Sequence, residues 1–109
     1  MYRRIITVLL AVILTARTGT IIFEGHKETW YNLRMNKVVE RTDNALGVTG
    51  FYWERDDGVK MYGPWVIVAA DWSVYPQYSF VETSLGQGIV LDTHTADDSE
   101  LIDIATNWR

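Results

Sequence analysis

"LDTHTADDSELIDIATNW", residues 91–108, sets a polar, acidic centre between two apolar runs, and the reading of those runs decides the fold. "GIVL" leads into Asp92, "LI" leads into Asp103, and Ile104 follows Asp103 directly. Short runs of β-branched and aliphatic residues bounded by turn formers are strands. "TADDSE" at 95–100 is then the loop between them, facing solvent, with local side-chain-to-backbone bonds from Asp or Ser.

The same pattern recurs outward along the chain. "TIIFEG" (20–25), "GFYWER" (50–55), "WVIVAAD" (65–71), "SFVETSL" (79–85), "GIVLDT" (88–93) and "ELIDIAT" (100–106) are six strand-like segments separated by turn residues. Such spacing predicts a mainly β small barrel or sandwich. "DDG" at 56–58 carries an Asp-Gly pair and predicts a hairpin between the Phe51 and Met61 regions. "GQG" at 86–88 reads as a second hairpin loop; a nucleotide-cradling loop would need a longer glycine pattern and a following helix. "NLRMNKVVERTDN" at 32–44 has a broken apolar stripe and predicts a short helix, so one or two short helices accompany the strands.

A chain of 109 residues holds one domain, here the body from residue 20 to 109. Residues 1–19 have the layout of a secretory signal: Arg3 and Arg4, then the apolar run Ile5 to Ala16. As a helix that run reaches about 18 Å, short of the about 30 Å of a bilayer core, so no stable membrane span is expected. A buried N-terminal strand or helix is the alternative for this run. Cleavage after Ala16 would leave 8 basic and 14 acidic side chains, a balance that argues against nucleic acid as partner. With no cysteine, neither disulfides nor a lipidated cysteine is available, and the fold rests on its core.

The acidic stretch admits three chemistries. It has the length of a calcium loop, Asp92 first and Asp103 twelfth, but His94, Ala96 and Asp97 stand at its third, fifth and sixth places, where oxygen ligands and glycine belong. His26 and His94 are the only histidines, which leaves zinc equally short of ligands, so no metal or cofactor is expected. A solvated turn accounts for Asp97, Asp98 and Glu100. Asp103 differs, because in a strand it shares one face with Leu101 and Ala105 while Ile102 and Ile104 take the other. Burial among apolar neighbours raises a carboxyl's proton affinity, which suits a general acid. An aspartate fixed by backbone amides at a barrel rim would carry the same spacing.

"VAAD" (68–71), "YPQYSFVET" (75–83), "GQGIVLDT" (86–93) and "IDIATNW" (102–108), taken in order, resemble the 3D domain, named for its three aspartates. "HKETWYN" (26–32) and "DDGVKMYG" (56–63) look like segments of one branch of these proteins. The resemblance covers nearly all of the chain past residue 20. It implies a six-stranded double-psi β-barrel, similar to that of membrane-bound lytic transglycosylase A, in a secreted or cell-wall-associated protein. It also implies cleavage of the bond between N-acetylmuramic acid and N-acetylglucosamine in peptidoglycan. Position by position, Asp103 matches the catalytic acid/base, and Asp71 and Asp92 match two supporting aspartates of the cleft.

Trp72 and Tyr75 flank Asp71, and exposed rings are platforms for sugar faces, so both are candidate glycan contacts together with Thr93 and His94. Most of the remaining rings, Trp30, Tyr31, Trp53, Trp65, Tyr78 and Trp108 among them, are expected to fill or cap the core. The chain departs from the family after Asp-Thr, where His94, Thr95, Ala96 and Asp97 stand in place of glycines and a small apolar residue. His94 there either narrows the cleft or adds a contact. Three classes follow: a monomeric transglycosylase acting on glycan strands, a non-catalytic barrel that binds glycan or protein, and a metal-dependent module whose stability would drop on adding chelator.

Overall fold

The computed structural model describes residues 20–108; the expected signal segment, 1–19, lies outside the described residues. The fold is mainly β, with one helix among the described residues. Its strands are β1 (Ile21–Phe23), β2 (His26–Tyr31), β3 (Tyr52–Glu54), β4 (Lys60–Tyr62), β5 (Trp65–Ala70), β6 (Phe80–Thr83), β7 (Gly86–Thr93) and β8 (Ile102–Ala105). Helix α1 spans Asn36–Leu46.

β5 is the axis of the sheet. Val66 to Ala70 are buried without a break, as a β-branched strand covered on both faces should be. One edge of β5 pairs in parallel with β7. The other edge is shared by two antiparallel partners, β4 at Trp65 and Val66 and β8 at Val68 and Ala69. β8 continues in parallel to β2, β2 to β1, β4 to β3, and β6 covers the outer edge of β7. The hydrogen-bonded path therefore runs β1-β2-β8-β5-β4-β3 and ends at β1 and β3 without closing.

Side chains curl this open sheet. Glu28 on β2 bonds Ser84 in the β6–β7 turn, and Arg55, just past β3, donates to Leu85 O in the same turn at 2.8 Å. Inside the curl lies one core cluster, built on Val66, Val68, Val90, Ile102 and Ile104. The second, on the outer face, holds Ile67, Ile89, Leu91 and Ala105 beneath Met35 and Val38 of the α1 segment.

Two strands exceed the six expected. "HKETWY" carries too many polar residues for an apolar run, yet it is a strand because its buried Glu28 finds partners; "KMY" hides a buried lysine in the same way. "GQG" is no loop: Gly86 and Gln87 already pair with Thr83 and Glu82, and the turn falls at Ser84 and Leu85. The helix begins at Asn36 rather than residue 32, because Lys60 Nζ holds the preceding segment through Asn32 Oδ1 at 2.8 Å and Leu33 O at 2.6 Å. It ends at Gly47 in the left-handed region, φ 66°, where glycine pays no Cβ penalty.

The Asp-Gly hairpin forms as expected between β3 and β4. Gly58 adopts φ +89°, and a Cβ there would overlap Asn107 Oδ1 and crowd Trp108 Nε1 at 2.9 Å. Both C-terminal residues are tied to this turn, Asn107 N to Gly58 O at 2.9 Å and Trp108 Nε1 to Asp57 O at 2.6 Å. Gly58→Ala should therefore cost about 2 kcal/mol or more, the left-handed penalty plus the displaced C-terminus. Urea denaturation checks it; a loss under about 0.5 kcal/mol would show that the turn relaxes.

Candidate functional site

The outer face of the sheet near the C-terminal end of β5 gathers the polar chemistry. Ala69 pairs with Asp103 of β8 on one side and with Asp92 of β7 on the other, and Asp103 pairs in turn with Thr29 of β2. Cross-strand partners project to the same face, so Thr29, Asp103, Ala69 and Asp92 form one row. Two strand spacings separate the aspartate Cα atoms, about 10 Å. Ala69 stands between them in the row.

A register shift makes this row possible. Val68 pairs with Val90 but Ala69 pairs with Asp92, so the ladder skips Leu91. Simple alternation would send Asp92 to the face opposite Leu91. With the extra residue, Leu91 packs into the outer cluster while Asp92 lies beside Ala69 on that same face.

The two carboxyls meet different surroundings. Asp103 is partly buried and accepts a 2.8 Å bond from Thr29 Oγ1. Burial foremost pushes its pKa up and the nearby charge of Asp92 adds to this, against the opposing pull of the Thr29 bond and His94. Asp92 is better supplied: Thr93 N–H donates to Oδ1 at 2.9 Å and Tyr31 O–H to Oδ2 at 3.3 Å, and the Arg41 guanidinium is an ion-pair partner 4.0 Å from Oδ1. Burial, and then the charges of Asp92 and Asp103, push the Tyr31 phenol far up, so it stays a neutral donor between the carboxyls.

The other expected site residues divide. Asp71 follows β5 and is held by Ser73, N–H at 2.9 Å and Oγ at 2.6 Å, bonds that lower its pKa. Trp72 is 36% exposed and donates its indole N–H to Asp92 O at 3.0 Å, which fixes an open ring at the edge of the row. Tyr75 packs instead against the inner cluster, behind the sheet from Asp92 and Asp103. Thr93 pairs with Ala70 and so faces away from Asp92, though its amide serves that carboxyl.

His94 is built in rather than solvated. Its Nδ1 accepts the Ala96 N–H at 3.2 Å, which places the neutral ring's proton on Nε2, facing Leu101 O at 2.7 Å. The ring thus staples both ends of the acidic loop, within electrostatic reach of Asp71 and Asp103. The loop itself is mostly exposed and turns at Asp98, whose Oδ1 accepts Glu100 N–H at 3.0 Å.

Thr29, Tyr31 and Arg41 are the site residues that sequence reasoning missed as site residues. Alternation along "ETWY" could have placed Thr29 and Tyr31 on one face. Nothing local announces Arg41, which reaches the site from α1. Among the described residues no group of three or more His, Cys, Asp or Glu is placed to hold a metal ion, and no helix is long and apolar enough to cross a membrane. The chain matches no protein-family model, no curated protein and no solved structure.

The raised pKa of Asp103 has a stability consequence. A carboxyl that binds its proton more tightly when folded stabilises the protein below its ordinary titration range and loses that contribution as pH rises through the raised value. Asp103→Asn cannot ionise, so it should be more stable than wild type at pH 7.5, by under about 1 kcal/mol given the partial exposure, with the gap closing near pH 3.5. Urea denaturation at the two pH values checks it, and an equal gap at both would contradict it.

Proposed function

We propose that this chain is a peptidoglycan-active, lytic transglycosylase-like domain of the 3D type, secreted or cell-wall-associated, with Asp103 as acid/base. The observation that carries the reading is the pair of partly buried aspartates flanking Ala69 on one face of the sheet, one desolvated and the other supplied with donors. Two carboxyls in unlike environments are how one site keeps an acid protonated beside a second carboxyl of different role. The parallel pairs β2–β8 and β5–β7, joined by β5–β8 and curled by Glu28 and Arg55, support a double-psi barrel built on six of the strands.

In this reading Asp103 gives its proton to the oxygen linking N-acetylmuramic acid to N-acetylglucosamine as the anomeric C–O bond breaks. The muramyl 6-hydroxyl closes onto the anomeric carbon, and its proton passes to the Asp103 carboxylate, restoring the acid without water. Asp92, fixed by Tyr31 and the Thr93 amide, faces the positive charge that grows at the anomeric carbon. Trp72 offers a sugar platform, and His94 and Asp71 line the rim. No cofactor enters.

A second reading, a glycan-binding module that does not cut, is favoured by His94, whose stapled ring stands where the 3D family keeps glycine. Incubating the protein with purified sacculi separates the two. Soluble anhydro-muropeptides that disappear in Asp103→Asn support the enzyme; retention on sacculi with no soluble product supports the binder.

A further inference from the structure

We infer that Arg41 is a positioning residue: from helix α1 it clamps the β7 bulge that turns Asp92 toward Asp103, and holds a positive charge near Asp92. The bulge residue, Leu91, has no partner on β5, and its carbonyl accepts Arg41 Nη2 at 2.9 Å. A buried backbone acceptor left without a partner is costly, so this bond stabilises the skipped register itself. The same nitrogen lies 4.0 Å from Asp92 Oδ1. Trp72 takes the next carbonyl, that of Asp92, so successive peptide groups of the bulge are held by two side chains from different parts of the chain. A guanidinium suits the task because it has several donors in a rigid fork and keeps its charge, so one group can serve a carbonyl and face a carboxylate together.

Arg41 faces the Asp92 carboxyl, and Tyr31 and Asp103 stand on the far side of Asp92. Without the clamp the skipped register loses its hydrogen bond at Leu91, and Asp92 is no longer held on the face of Asp103. The catalytic consequence rests on the transglycosylase reading, whereas the clamp itself does not.

The test uses the full chain as Arg41→Gln, Arg41→Lys, Asp92→Asn and the double variant Arg41→Gln/Asp92→Asn. Arg41→Gln should lower kcat on glycan strands about tenfold with KM within about twofold, Arg41→Lys should recover most of the loss, and Arg41→Gln should add less than twofold to Asp92→Asn, as expected of residues acting through one another. Losses that multiply in the double variant would overturn the assignment. Amide hydrogen exchange gives a readout without activity: the β7 amides around the bulge should exchange faster in Arg41→Gln and return toward wild type in Arg41→Lys, and unchanged exchange in Arg41→Gln would overturn the proposal. If the wild type releases no anhydro product, the transglycosylase reading fails, and the amide exchange alone decides the role of Arg41.

Discussion

Asp103→Asn should lower the release of anhydro-muropeptides by about 10²–10⁴-fold, the range that a positioned acid–base contributes, while the chain stays folded. Asn preserves the shape and still accepts the Thr29 hydroxyl, which bonds Asp103 at 2.8 Å, but it has no proton to give and takes none from the 6-hydroxyl. In the proposed reaction one residue performs both transfers, so both would be lost together. Asp92→Asn should cost less, about tenfold, because in the proposed reaction its carboxylate would act on the charge at the anomeric carbon rather than on a proton. Asp71→Asn should cost least, since Ser73 occupies its carboxylate. The pH profile carries a further sign. The acid must be protonated to start the reaction, and burial raises its pKa, so the wild-type rate should fall as pH rises through that raised value. Equal losses at Asp71 and Asp103, or an unaffected Asp103→Asn, would sink the assignment.

That ranking draws on features of unequal visibility in the sequence. The strand character of "WVIVAA" and "GIVL" follows from their β-branched residues, and the Asp-Gly hairpin from its turn chemistry. The partial burial of Asp103 follows from its place between Ile102 and Ile104, both buried. Asp92 is harder. Its residue type and neighbours are plain, but a one-residue slip reverses which face it takes, and the slip arises from pairing with a strand more than twenty positions away. β2 was obscured for a related reason: "HKETWY" breaks the apolar alternation with charged residues, and only the fold supplies Glu28 with Ser84. Arg41 lies on a helix whose sequence says only which side is apolar. Periodicity thus gives the faces of elements, while contacts distant in sequence decide what meets on those faces.

Glu28→Ala should destabilise the protein by about 3–5 kcal/mol, the cost of removing one partner from a buried charged network. Glu28 is fully buried, and its carboxylate accepts the His26 Nε2 proton at 2.8 Å, the Ser84 hydroxyl at 2.5 Å and the Ser84 amide at 3.1 Å. Truncation leaves these donors without their acceptor and enlarges the pocket that Glu28 lines with Trp30, Ser84 and Ile104. Total stability in a domain of this size is about 5–15 kcal/mol, so the variant should lie close to unfolding at room temperature, with a melting temperature lowered by well over 10 °C. Glu28→Gln keeps the volume and one acceptor oxygen but sets an amide against His26, and should cost about 1–3 kcal/mol. Urea midpoints and thermal melts measure both, and Glu28→Ala within about 1 kcal/mol of wild type would show that water or repacking replaces the carboxylate. The effect should reach the site. The ladder does not join β2 to the β6–β7 turn, so the Glu28–Ser84 bonds hold that side of the curl, and Thr29, next in sequence, supplies the hydroxyl bound to Asp103. A folded Glu28→Gln should therefore show faster amide exchange along β2 and a weaker Thr29–Asp103 bond. Losing a bond that favours the carboxylate raises proton affinity, so the Asp103 titration should move further up.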